Sequence, residues 1–246
     1  VAEYDDPYAR SGQFIDIMIA GWWDHFGEAV AEAVRRMPAD RGPLLDAGAG
    51  GGWGTLLLAR TLPGARVLAL EPSPVLRAVL LSRVAASEGL RARVTVDGDD
   101  LLSARLPERL GGVLMANLVG HLSPDERDRL WRDLAARLAP DACALLTLAP
   151  PLEPERVERS RMSEVRVGER VYTGWAEAEP AGAERITWHM TYEVRQGERL
   201  VSRDEVSYDW WTLSEEGLRA ETAPHGLGVL PHGPAEAGLF RVVPQG

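Results

Sequence analysis

The chain is 246 residues long, enough to bury one substantial core with additions, and its formal charge of -10, with no Lys/Arg-rich block, disfavours nucleic acid as a partner. All 27 basic residues are arginine, which removes Schiff-base chemistry on a lysine amine and the Lys-dependent Walker A phosphate loop. No apolar run reaches the roughly 18 residues of a membrane span, so no membrane association is expected.

The N-terminus shows no basic flank, apolar stretch or small-residue cleavage site of a secretory signal. Cys143 is the single cysteine, so neither an internal disulfide nor a cysteine-based structural zinc site is expected, and no metal is assigned. A cytoplasmic location is the expectation. Cys143 lies in an apolar run and reads as a small buried hydrophobe.

Residues 6 to 37 carry helical periodicity, with Phe14, Ile17, Met18 and Gly21 on one face and Phe26, Val30, Val34 and Met37 on another. Two helices are predicted ahead of the core. From residue 43, short apolar runs alternate with helical patterns: Leu44 to Ala47, Val67 to Glu71, Val94 to Asp97, Val113 to Asn117 and Ala144 to Leu148. This texture predicts five parallel strands wrapped by helices.

Ser73 before Pro74 reads as an N-cap with proline at the first helical position. Ser123-Pro124-Asp125-Glu126 reads as a capping box, and Leu130, Leu134 and Leu138 recur toward a buried face.

Beyond Pro150 and Pro151, a Glu/Arg-rich stretch leads to alternating Ile186, Trp188, Met190, Tyr192 and Val194, a turn at Gln196-Gly197, and a return through Val206, Tyr208 and Trp210. Period-2 alternation predicts an antiparallel insertion of about 50 to 60 residues. A helix from about Ser214 to Ala223 and two strands, Leu227 to Leu230 and Leu239 to Val243, should close the sheet.

The first strand ends in Asp46-Ala47-Gly48-Ala49-Gly50-Gly51-Gly52, a glycine loop that brings backbone close to a ligand at the carboxyl end of the sheet. The dinucleotide fingerprint GxGxxG fails in each register, because its third position falls on Trp53, Thr55 or Leu57. A glycine-rich turn with no ligand is the plainer alternative. The observed DxGxGxG resembles motif I of the class I S-adenosylmethionine (SAM)-dependent methyltransferases, and the resemblance runs from about residue 43 to 150.

That resemblance implies SAM as cofactor and gives roles to particular residues. Glu71, followed by Pro72 at the end of strand 2, stands where the family holds both ribose hydroxyls, and a carboxylate with two oxygens suits a vicinal diol. Asp99 in Gly98-Asp99-Asp100 matches the family's adenine-contacting aspartate, with Asp100 as the neighbour that competes for the role. Asp46, Ala47, Gly48, Gly50, Gly52, Asn117 and Leu118 complete the expected cofactor cradle. Tyr4 and Tyr8 precede the first helix, where relatives fold a tyrosine over the cofactor, and Arg10 is placed to reach the SAM carboxylate. A sulfonium suits an acidic site better than a dinucleotide pyrophosphate does.

His121, in Val119-Gly120-His121 after strand 4, resembles the Gly-His of some amino-sugar N-methyltransferases, which also carry an insertion after strand 5 and a strand like Gly238-Leu239-Phe240. Its alternatives are general base or a helix-capping or cofactor-packing histidine. His25 is a second candidate, either lining the acceptor pocket or exposed on its helix. His189 shares a polar face with Thr187 and Thr191 and reads as solvated; His225 and His232 carry no signal. Trp22, Trp23, Trp175, Trp188, Trp210 and Trp211 cluster in cap and insertion and suit either a flat, apolar acceptor or an interface in a homodimer.

The expected fold is α/β, a Rossmann-like seven-stranded, mostly parallel sheet with an N-terminal helical cap and an antiparallel β insertion after strand 5. Its divisions are a cap over 1–42, a SAM-binding core over 43–150, an insertion or lid over 151–211, and a closing helix and strands over 212–246. The expected activity is methyl transfer to oxygen or nitrogen of a small-molecule acceptor of specialised metabolism. A SAM-binding cyclase or rearrangement enzyme of the same fold and an NAD-dependent oxidoreductase are the alternatives.

Overall fold

The computed structural model describes residues 6–245. In chain order the elements are helices α1 (Gly12–Met18) and α2 (Ala20–Val34), then β1 (Leu44–Ala47), α3 (Trp53–Thr61), β2 (Val67–Leu70), α4 (Pro74–Ala85), α5 (Glu88–Arg91), β3 (Val94–Asp97) and β4 (Gly112–Met115). After a 3₁₀ turn at Val119–His121 come α6 (Pro124–Arg137) and β5 (Ala144–Thr147). Four long strands follow, β6 (Val157–Val167), β7 (Arg170–Pro180), β8 (Arg185–Gln196) and β9 (Arg199–Trp211). The described chain closes with α7 (Glu215–Thr222), β10 (Leu227–His232) and β11 (Leu239–Pro244).

The main sheet has the order β10-β11-β5-β4-β1-β2-β3. β1 pairs in parallel with both β2 and β4, so the chain reverses its direction of travel across the sheet at β1. Ligands of open α/β sheets bind at the carboxyl ends of the strands beside such a reversal, and the glycine loop leaves β1 there. β11 joins antiparallel to β5 and β10. The five parallel strands, the parallel-to-antiparallel change and the closing pair agree with the sequence reading.

The starts of α4 and α6 have local causes. The Ser73 hydroxyl accepts from the Leu76 backbone N–H, with Pro74 at the first position of α4. At α6 the capping box is complete: Glu126 Oε2 accepts from the Ser123 backbone N–H at 2.8 Å, while the Ser123 hydroxyl accepts from the Glu126 N–H. Leu130, Trp131 and Leu134 of α6 then pack on one face of the sheet, and Val30, Val34, Leu58 and Leu80 from α2, α3 and α4 on the other. Apolar burial on both faces is what a parallel sheet requires. Cys143 is buried beside β5, and burial pushes its thiol up to about 11, as a packing residue and not a nucleophile.

The insertion is a four-stranded antiparallel sheet, β6-β7-β8-β9, larger than the β8–β9 hairpin legible in the sequence. Met190, Tyr192 and Val194 from its apolar face pack on Phe14 and Met18 of α1. The Phe14 and Tyr192 rings stack at 4.9 Å with 2° between planes. Ile186 and Trp210 form a smaller cluster with Ala178. The lid is thus anchored to the N-terminal cap by aromatic and aliphatic burial.

Candidate functional site

A cavity of about 850 Å³ lies between the carboxyl ends of the parallel strands, α1–α2 and the inner face of the lid. Small-molecule sites span roughly 300–1,000 Å³, so this one has room for a cofactor and a second molecule.

One end is built by the glycine loop. Gly48, Gly50 and Gly52 all take positive φ, and Gly52 at φ +97 also faces Leu80, whose Cδ1 would lie 2.7 Å from an added Cβ. A side chain there would be strained and would strike α4. The loop is tied down from three sides. Ala49 N–H donates to Leu70 O at 2.9 Å, Gly50 N–H donates to Glu71 Oε2 at 2.6 Å, and Arg83 of α4 donates to Gly51 O at 2.7 Å. Arg83 also forks onto Asp16 of α1, at 2.8 Å and 2.6 Å, and stands over the Trp53 ring at 5.0 Å. The cap helix is thereby latched to the loop.

Burial shapes the two carboxylates here. Asp46, at 2 % exposure, accepts from Thr55 Oγ1 at 2.5 Å, and burial raises its carboxyl to about 7. Glu71 is buried and raised chiefly by desolvation, against which its bonds from the Ser73 and Gly50 N–H groups act. The adjacent N-terminus of α3 has no cap from its own first residue, Gly52, and the Thr55 backbone N–H in its first turn bonds to Asp46.

The other end is built around His121. Its Nε2 lies 2.8 Å from the Tyr8 hydroxyl. Tyr8, Tyr208 and Trp210 surround the imidazole at ring separations of 5.9, 6.0 and 4.9 Å. This aromatic surround desolvates the ring and pushes its pKa down to about 4, so His121 is neutral at pH 7. Trp210 approaches so closely because residue 120 is glycine: a Cβ there would sit 1.9 Å from the indole. Burial likewise pushes the Tyr208 phenol up to about 12.

Most sequence-assigned residues converge on this cavity. Tyr8, Asp46, Gly48, Gly50, Glu71, Pro72, Asp100, Asn117, Leu118 and His121 line it; Ala47 and Gly52 do not, standing in β1 and at the start of α3. Asn117 takes φ 53, and its N–H donates to Thr147 Oγ1 at 2.8 Å.

Other assignments need correction. His25 is exposed on α2, edge-on to Phe26, and does not line the cavity. Asp99 and Asp100 are both exposed; the Asp99 N–H is bonded to Asp97, and of the two Asp100 lines the cavity. Arg10 is turned outward, 68 % exposed and 3.9 Å from Asp204 of β9. Trp175 and Trp211 stand outside, whereas Trp22, Trp23, Trp188 and Trp210 line the cavity. His189, by contrast, is solvated as the sequence reading has it, and bonded to Ser207 and Glu179. Tyr4 lies outside the described residues.

Sequence reasoning used Trp53 only to exclude a dinucleotide, yet its ring lines the cavity, as do Glu126 and Thr147. Asp16 and Gly120 escaped notice altogether as supports, since the sequence holds no sign of their partners Arg83 and Trp210.

Residues 44–141 match the family model described as "Methyltransferase domain". A search of curated proteins returns no match. Solved structures share the fold over nearly the whole chain. DesVI of Streptomyces venezuelae aligns with TM-score 0.75 at 19% identity, covering 98% of this chain and 100% of that one. The sugar N-methyltransferase KedS8 from Streptoalloteichus aligns with TM-score 0.73 at 18% identity, covering 100% and 97%. SAM-bound CalS10, an amino pentose methyltransferase from Micromonospora echinaspora involved in calicheamicin biosynthesis, aligns with TM-score 0.73 at 19% identity, covering 98% and 99%. Residues 44–141 thus match a methyltransferase domain, and the chain shares the fold of solved SAM-dependent methyltransferases over nearly its whole length.

Proposed function

We propose that this chain methylates a nitrogen or oxygen of a small-molecule specialised metabolite, with Glu71 and the glycine loop holding SAM and Tyr8–His121 orienting the acceptor. The observation that carries the reading is the single cavity that joins the Glu71 end to the His121 end beneath the lid. The amino-sugar enzymes among the structural relatives support a small polar-headed acceptor.

The donor set fits the cofactor. Asp46, Glu71 and Asp100 line the cavity, with no cationic side chain among the described lining residues to repel a sulfonium, and Glu71 keeps acceptor capacity for ribose hydroxyls beyond its two backbone bonds. The cofactor's carboxylate meets the first turn of α3 in place of Arg10. Asp100 takes the adenine role in place of Asp99.

When bound, SAM would supply a methyl group to the acceptor's lone pair, with the electron pair of the broken bond returning to sulfur and the acceptor's N–H or O–H proton passing to solvent. The protein's part is positioning and exclusion of water, which the aromatic lid provides. His121, neutral at pH 7, accepts or donates one hydrogen bond at Nε2 and stores a proton poorly, so its role is to orient Tyr8 and the acceptor.

Titration with SAM, S-adenosylhomocysteine and NADH tests the cofactor assignment: the reading expects micromolar binding of the first two, none of NADH, and loss of binding in Glu71→Ala. NADH binding in place of SAM binding would contradict it.

A further inference from the structure

The chemistry of the cavity wall, taken with the methyltransferase reading on which this inference rests, constrains the acceptor. Among the described residues the lining contains no arginine, although arginine supplies all the basic side chains of the chain. Its acidic members are Asp46, Glu71, Asp100 and Glu126, and its histidine is held neutral.

Anions can also be held by helix N-termini, and here too the acceptor side is closed to them. The N-terminus of α6 opens beside His121, but Glu126 fills it with its own carboxylate, bonded to the Ser123 N–H and, at 2.7 Å, to the Ser123 hydroxyl. At the glycine-loop end stands the first turn of α3, where Asp46 already accepts from the Thr55 N–H and where the cofactor carboxylate is placed. A phosphate or carboxylate on the acceptor would therefore leave water for a cavity with no cationic partner and several carboxylates, a cost that nothing in the lining offsets.

The rest of the acceptor end is flat and apolar. Met190 and Trp188 project from β8, Tyr208 and Trp210 from β9, and Met18 from α1, with the Tyr8 hydroxyl and His121 as the polar points. Aromatic faces of this kind take rings and cations well and offer anions nothing.

We propose that the acceptor is an unphosphorylated molecule without an anionic group, neutral or cationic, whose flat apolar body lies against the lid residues Trp188, Tyr208 and Trp210.

The test titrates three probes of one shape into the full chain, with and without S-adenosylhomocysteine: 1-naphthylmethylamine, 1-naphthalenemethanol and 1-naphthyl phosphate. The amine and alcohol are expected to bind at least tenfold more tightly than the phosphate, and Trp188→Ala is expected to weaken them about tenfold while leaving S-adenosylhomocysteine affinity within twofold. Binding of the phosphate equal to or tighter than that of the other two, or no binding of the amine and alcohol, would overturn the proposal. The cofactor titration reads the methyltransferase assignment separately: its failure shows as loss of S-adenosylhomocysteine binding, whatever the naphthyl probes do. If Trp188→Ala fails to fold, the ranking of the three probes on the unaltered chain decides alone.

Discussion

The hydroxyl of Tyr8 and Nε2 of His121 lie 2.8 Å apart, joining the segment before the first helix to the turn that follows the fourth strand. The bond places two polar groups at the acceptor end of a cavity otherwise walled by aromatic and aliphatic side chains. Tyr8→Phe removes it and keeps the ring. A hydrogen bond of this kind contributes about 0.5–1.5 kcal/mol, so kcat should fall up to about tenfold while SAM affinity stays within threefold. Steady-state kinetics with parallel SAM titration checks the split; an equal loss in both would place Tyr8 on the cofactor instead.

His121 is held neutral well below its ordinary range, so kcat should show no inflection attributable to an imidazole between pH 6 and 8. A pH–rate profile that bends near 6.5 and straightens in His121→Asn would make His121 a titrating base and defeat the orienting role.

Asp46 offers a pH test of stability with a definite sign. Its folded carboxyl sits at about 7 and its ordinary value near 3.8, so between these the folded state binds the proton that the unfolded state has released. Its contribution is full below the lower value and is lost as pH rises to about 7. Asp46→Asn fixes a neutral group there, so its Tm relative to the parent should climb by several degrees from pH 4 to pH 7 and then level off. His121 acts in the opposite sense, since its depressed value destabilises the fold as pH falls from about 6.5 to 4, so the difference between variant and parent is the informative curve. A flat difference across this range would show that Asp46 is ionised in the native protein.

Gly120→Ala would drive a methyl group into the Trp210 indole, which packs edge-on to His121. Overpacking typically costs about 1–3 kcal/mol, so Tm should fall by roughly 2–10 °C. Displacement of Trp210 should also slow turnover more than it weakens SAM binding. Thermal melts with kinetics on the same sample separate the two effects, and unchanged kcat would show that the Trp210–His121 contact is dispensable.

The latch between cap and loop should tune cofactor affinity. Asp16→Asn leaves Arg83 without its charged partner, 28 % exposed, against the Gly51 carbonyl and the Trp53 face. SAM binding should weaken roughly three- to tenfold, in keeping with the 1–2 kcal/mol of a partly buried charged hydrogen bond. Calorimetric titration of the variant decides it; parental affinity would mean that the loop is held by Glu71 and Leu70 alone.

The parallel core was legible because its signals are local. Four- or five-residue apolar runs, the Ser73 and Ser123 caps and the glycine loop each state their structure within a few positions, and Glu71 is marked by the resemblance to the methyltransferase family at the end of the second strand. The outer half of the lid was not. β6 is an edge strand with charged residues on both faces, and β7 follows Tyr172 with Gly174, Ala176 and Ala178 on its inner side, three small residues that give no hydrophobic alternation. They are small for a tertiary reason: a Cβ at Gly174 would meet Met18 Sδ at 3.1 Å. His25 was misjudged because helical spacing fixes a face but not which face the cap turns to the cavity. Asp99 and Asp100 differ by one position in an irregular segment, where no period tells inward from outward.

The central claim is that the cavity joins a SAM site to an acceptor site and that methyl leaves one for the other. Incubation with methyl-labelled SAM and a panel of flat aromatic amines and alcohols, read by mass spectrometry, tests this most directly. The account predicts label on a small-molecule nitrogen or oxygen, with stoichiometric S-adenosylhomocysteine, and loss of both in Glu71→Ala. Consumption or rearrangement of a panel member with SAM retained unchanged would contradict it.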